Sequence, residues 1–212
     1  VKAETSPINH LSSTARFFIK PVNIVNQDTH LQKFEDALIV ASRDCSVSDI
    51  LKLSSPDIIL SFGDRSEQGL TSLQSLLSSK IGVDVCKALL DILRLGGDFT
   101  NENKDEFVVP YVSVHFPQEL SDQACDYGVI TRKNVNLRKY KSIRSPVLTQ
   151  LSFEVVYLQE GMDPYEEWIP VLTHDNIGGY ISRQYLRSPC DYRAVFKKRG
   201  DVWFMVAFVA GD

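Results

Sequence analysis

Cysteine, histidine, methionine and tryptophan are scarce in this sequence, and long apolar runs are missing. The four cysteines, Cys45, Cys86, Cys125 and Cys190, stand far apart, with no Cys-x-x-Cys pair and no histidine at zinc-finger spacing. That excludes a zinc finger as the organising element and leaves either free cysteines or two disulfides in any of three pairings. The four histidines, His10, His30, His115 and His174, include no His-x-x-x-His group, so no metal site and no cofactor are expected. No stretch approaches the roughly 18 apolar residues a membrane-crossing helix needs. A formal net charge of -4 lacks the basic footprint of a nucleic-acid binder, so nucleic acid drops out as a partner class.

What is present is ordinary for a globular chain: 212 residues, 43% apolar and 24% charged, enough for one large domain or two small ones. The chain opens at Val1 without a basic stretch leading into an apolar one, which fits a leader removed on export or a trimmed chain. Asp28 or Thr29 can cap a helix whose Leu31, Phe34, Leu38 and Ala41 recur at helical spacing, with Gln32, Lys33, Glu35 and Asp36 turned outward. A short helix is expected near residues 48–53, ended by Pro56. Leu70, Leu73, Leu76 and Leu77 mark a third helix. A fourth, over residues 83–95, carries Lys87, Asp91 and Arg94 as a polar stripe and stops at Gly96-Gly97.

Beyond a polar loop the character changes. Phe107, Val108, Val109, Tyr111, Val112, Val114 and Phe116 are β-branched or aromatic, which predicts strands interrupted at Pro110. From there Gly, Pro, Asn and Asp punctuate short β-rich runs, the pattern of a sandwich or small barrel. Val135 and Leu137 alternate inward and Arg138 outward, while Trp168 is read as interior bulk, Pro170 as marking an edge or bulge, and Gly179 as a bend where a side chain would collide. The last run, Trp203-Phe-Met-Val-Ala-Phe-Val-Ala210, has no polar face, so it is expected to be covered on both sides.

Over residues 128–188 the sequence resembles the bacterial SH3 family. Val135-Asn136-Leu137-Arg138, the apolar run 147–158, Glu167-Trp168-Ile169-Pro170-Val171, and Gly179-Tyr180-Ile181 leading into Tyr185-Leu186 occur in that family's order. The whole chain also looks like a group of uncharacterised, presumed exported bacterial proteins, through Gly96-Gly97-Asp98-Phe99, Pro110-Tyr111-Val112, and the ending from Asp191-Tyr192-Arg193-Ala194 to Asp212. The resemblance implies an α+β chain in three parts: an α-rich domain over 1–125 with a β segment near 107–116, an SH3-like barrel over 126–190, and a terminal hairpin over 191–212 packing between the two. It also implies export to a periplasmic or extracellular compartment.

Candidate chemistry is thin. Asp44-Cys45-Ser46 resembles the nucleophile tripeptide of papain-like cell-wall peptidases or amidases, with His115 as conceivable base, but it ends a helix instead of opening one. Asp163, Glu166 and Glu167 read as an acidic loop, and Arg199-Gly200-Asp201 as a hairpin turn. Arg132, Lys133, Arg138, Lys139, Lys141 and Arg144 fall within thirteen residues without an acid and surround Tyr140, a patch that can hold an anionic polymer. Tyr157, Tyr165, Trp168, Tyr180 and Tyr185 can line a groove. The expected ligand-binding set is therefore Arg138, Tyr140, Tyr157, Tyr165, Trp168 and Tyr180, with no catalytic residue. The expected function is an exported, non-catalytic binding or scaffold protein whose partner is an envelope polymer, a peptidoglycan peptide or glycan, or a protein. The alternatives are a hydrolase using Cys45 and His115, or an inhibitor or immunity protein acting through the loop Gly63 to Gly69.

Overall fold

A computed structural model describes residues 15–61, 68–159 and 166–211. The architecture is α+β, with helices beside two mostly antiparallel sheets. Helix α1, Thr29–Arg43, begins where the Asp28 carboxylate accepts from the amides of His30 and Leu31, satisfying donors that a helix start leaves open. Leu31, Phe34, Leu38 and Ala41 are buried. Glu35, expected to face out, is buried with them at 4% exposure. It lies about 40° around the helix from Leu31, so the arc that buries the leucines carries it inward.

Helix α2, Val47–Lys52, ends ahead of Pro56, which falls inside strand β1, Ser54–Ile59. Helices α3, Gly69–Leu77, and α4, Gly82–Leu93, follow. Beyond α4, Gly96 takes the left-handed backbone (φ +78°) that a chain reversal at a helix end favours. A disulfide from Cys45 to Cys86 fastens the end of α1 to α4. Strands β2, Asp98–Phe99, and β3, Glu106–Val109, come next.

The strand expected over 107–116 ends early. After the cis Val109-Pro110 bond, Tyr111–His115 form helix α5. Pro110 has no amide to continue the ladder, and the Tyr111 amide donates instead to the Gly96 carbonyl at 2.7 Å.

A 3-10 stretch, Gln118–Asp126, leads into seven strands: β4, Tyr127–Ile130; β5, Val135–Arg138; β6, Val147–Leu151; β7, Val155–Leu158; β8, Trp168–Leu172; β9, Gly178–Ser182; and β10, Leu186–Arg187. They form one antiparallel sheet in the order β10-β4-β7-β8-β9-β5-β6. Every strand contributes to one buried cluster that includes Ile130, Leu137, Leu151, Val156, Val171, Ile181 and Leu186. A sheet whose seven strands share one core has to curl around it. At Gly179 β9 approaches β5 so closely that a Cβ would stand 2.7 Å from the Arg138 carbonyl oxygen.

Two expectations about β8 are corrected. Trp168 does not fill the interior: Ile169 and Val171 point inward, which turns the half-buried Trp168 to the outer face opposite Ser182. Pro170 is not on an edge strand, since β8 lies between β7 and β9. Its carbonyl accepts from the Gln159 amide, so its missing N–H faces the end of β7 and costs the β8–β9 ladder nothing.

Strands β11, Arg193–Arg199, and β12, Val202–Val209, turn at Gly200 and return to the first sheet, ordered β1-β12-β11-β3-β2. β12 runs parallel to β1 and antiparallel to β11. The terminal hairpin is thus part of the helical half rather than a separate joint between two halves. Trp203, Met205 and Phe208 join the core built by α1 to α4, whereas Phe204 and Val206 on the opposite face stay half-buried. The seam between the two units is a different cluster: Ile19, Tyr111 and Val112 against Tyr127, Val129 and Val155. Residues 17–19 reinforce it, because Ile19 donates to the Phe153 carbonyl, Val155 donates to the Phe17 carbonyl, and Arg16 pairs with Glu154 at 2.8 Å.

A second disulfide, Cys125 to Cys190, brackets the seven-stranded sheet. The first sheet takes strands from both sides of that bracket, so the second unit is inserted between β3 and β11.

Candidate functional site

Alternation along β8 and β9 decides what the second sheet presents outward. With Ile169 and Ile181 paired in the core, Trp168 pairs with Ser182, Pro170 with Tyr180, and Tyr180 in turn with Arg138 on β5. Pro170, Tyr180 and Arg138 therefore form a row across three strands, and Trp168 stands beside it on the same outer face, diagonal to Tyr180. The Arg138 guanidinium donates to the Ser145 carbonyl at 2.8 Å, and Lys141 sits 5.6 Å over the Tyr180 ring while pairing with Glu166 at 3.0 Å. Tyr140, in the β5–β6 loop beside this row, is exposed with Lys139 over its ring at 5.4 Å.

Two clefts open beside Trp168. The larger, about 810 Å³, lies between the second sheet and α4. Its α4 wall is the polar stripe Lys87, Asp91 and Arg94, which one side of an otherwise apolar helix presents at i, i+4 and i+7. Its opposite wall includes Arg132, Arg183 and Arg187. The smaller cleft, about 270 Å³, runs past Asn134, Asn136 and Arg138, and shares Arg132, Ile143, Trp168, Ser182 and Gln184 with the first. Trp168 is thus among the residues that border both.

Arg187 lies deep in the larger cleft, largely buried. Its Nε has no hydrogen-bond partner and stands 3.5 Å from the Asp191 carboxylate, while Nη2 donates to the Tyr192 carbonyl at 3.3 Å. Burial lowers its hold on its proton, and Asp191 together with Asp91 of α4 acts in the opposite direction. A guanidinium remains charged through such a shift. Asp91 thereby links the two units electrostatically. Glu166 holds the rim, its carbonyl accepting from Arg183 Nε at 2.7 Å.

Such a cleft can stack a flat ring on Trp168, hold carboxylate or phosphate groups on guanidiniums, and accept hydroxyl or ammonium hydrogens at Asp91 and Glu167. Its described lining contains neither histidine nor cysteine. Among the described residues, no cluster of three or more His, Cys, Asp or Glu is placed to hold a metal ion.

Of the six residues expected to bind ligand, Arg138, Trp168 and Tyr180 come together and Tyr140 flanks them. Tyr157 does not join them. It packs edge-on against Tyr127 at 5.7 Å, beside a small cavity with Arg16, Phe17 and His174. Tyr165 lies outside the described residues, as do Asp163 and most of the loop from Gly63 to Gly69. Cys45 is bonded to Cys86 and carries no thiolate in this form, while His115 pairs with Asp98 at 2.9 Å. Missing from the sequence reading were Arg183, Arg187 and the role of the α4 stripe. The stripe was visible, but nothing in the sequence indicated which surface it would face. Compared with known protein families, curated proteins and solved structures, the chain matches none.

Proposed function

We propose that this is a non-catalytic binding protein of an exported, oxidising compartment, in which β4–β10 form an SH3-like barrel that offers its outer face to an envelope polymer. The favoured ligand is a peptidoglycan fragment carrying sugars and charged peptide groups. One observation carries the reading: Trp168, on a strand whose neighbouring residues fill the core, is turned outward where it lines two polar clefts. A partly exposed tryptophan costs hydrophobic free energy in water and gives it back when a ring stacks on it. The mixture of guanidiniums and carboxylates around it suits a ligand bearing both charges. Two disulfides among four cysteines agree with an oxidising compartment.

The test is retention on purified sacculi, comparing wild type with Trp168→Ala and Tyr180→Ala. Each variant should bind at least tenfold more weakly while melting near wild type. Ile169→Ala, by contrast, removes a core side chain and should cost about 2–5 kcal/mol of stability. Undiminished retention of Trp168→Ala would end this reading. Capture of one discrete protein from envelope extract, without sacculus binding, would turn it toward a protein partner.

A further inference from the structure

Four exposed apolar side chains crowd into nine residues of the β5–β6 hairpin: Tyr140 at 57% exposure, Ile143 at 74%, Val147 at 46% and Leu148 at 42%. The same stretch is strongly basic. No acid occurs between Asp126 and Glu154, an interval holding Arg132, Lys133, Arg138, Lys139, Lys141 and Arg144, in a chain of net charge -4.

Nor is the loop exposed for want of internal structure. Buried Ser145 accepts from the Tyr140 amide through its hydroxyl and from Arg138 through its carbonyl, both at 2.8 Å, and its amide donates to Ser142 at 3.1 Å. The Lys139 amide donates to the Pro146 carbonyl at 3.0 Å. The backbone is held, and the apolar side chains are held out with it. β6 is an end strand of its sheet, with only β5 paired to it.

Apolar tips flanked by cations match the boundary of an anionic bilayer, where aromatic and aliphatic groups enter the headgroup zone and Lys and Arg meet lipid phosphates. A net-negative remainder is repelled by the same surface, which orients the hairpin toward it. We propose that the β5–β6 hairpin is a membrane-contact element that seats Tyr140 and Ile143 in the headgroup region of an anionic lipid surface. Ile143 also lines both clefts beside Trp168, so docking brings them toward the membrane. The proposal rests on the hairpin's composition and exposure, not on the ligand assigned to the clefts, although Ile143 borders both surfaces.

Co-sedimentation of the full chain with phosphatidylcholine vesicles, and with vesicles that also contain phosphatidylglycerol, tests it. Wild type should bind only the anionic vesicles and should release as salt rises. Lys139→Gln and Arg144→Gln should each weaken partitioning on the order of fivefold, and Ile143→Ser roughly tenfold. Ile143→Trp should bind more tightly than wild type, with a blue-shifted emission on vesicle addition, so the test does not depend on loss alone. Trp168→Ala should bind vesicles as wild type does, separating this surface from the cleft. Absence of wild-type binding to anionic vesicles, equal binding to neutral ones, or indifference to Ile143→Ser each overturns the proposal. Concentration-dependent self-association that Ile143→Ser abolishes, without vesicle binding, would also overturn it and make the hairpin a protein contact.

Discussion

Glu35 is a carboxyl in the core of the helical half, with Oε1 lacking any hydrogen-bond partner. Burial, with a smaller contribution from Asp36, pushes its pKa up to about 7 from an ordinary 4.5. Between those two values the folded state binds a proton that the unfolded state has released, so stability falls as pH rises through this window. Above the folded pKa the full penalty is present, on the order of 3 kcal/mol. Glu35→Gln should therefore be more stable than wild type by roughly 1–3 kcal/mol at pH 8, and the advantage should disappear near pH 4. Urea midpoints at the two pH values check this, and a pH-independent difference would count against it. Helical angle alone places Glu35 within the buried arc. Its charge argued the other way, and side-chain polarity is a poor guide at the border of an apolar stripe.

Among the elements, β9 shows how one glycine sets the geometry of the candidate site. Gly179 has no Cβ to meet the Arg138 carbonyl or the Leu137 side chain, which would lie 2.7 and 2.9 Å away. Gly179→Ala should push β9 from β5, cost about 1–3 kcal/mol, and misalign Tyr180 against Arg138. Lower stability together with weaker sacculus binding is the expected pair of readouts. The collision at Gly179 was legible from the sequence, as were α1, α3, α4 and the inward phase of Val135 and Leu137. The phase of β8 was not. Trp168-Ile169-Pro170-Val171-Leu172 is apolar at every position, so a period of two has no contrast to lock onto. Only the pairing of Trp168 with Ser182 decides which residues face out. The helical turn at Tyr111 was equally hidden, because its β-branched and aromatic residues read as strand until the ladder fails at Pro110.

Across the whole molecule, strands distant in sequence complete the first sheet: β12 lies between β1 and β11, and β11 pairs with β3. Removing residues 192–212 should therefore abolish cooperative unfolding of the helical half. A sharp melt in the truncated chain, seen by circular dichroism, would contradict the topology. The lack of a polar face in β12 did signal a central strand, but no local pattern could name β1 as its neighbour, or β3 as the neighbour of β11. The Cys125–Cys190 bond closes a loop with a sequence separation of 65. By loop-closure entropy, Cys125→Ser with Cys190→Ser should cost about 4 kcal/mol, measurable as a lower denaturant midpoint, and reductant, which also opens Cys45–Cys86, should lower the wild-type midpoint at least as far.

That bond has a mechanical meaning as well. The Cα atoms of Cys125 and Cys190 are 5.3 Å apart, although the chain between them would extend to roughly 220 Å if pulled straight. Tension applied along the backbone crosses at the sulfurs and bypasses the inserted sheet. A pull between the two ends of the chain therefore leaves the unit that carries Trp168 folded, for as long as its surroundings keep the cystine oxidised.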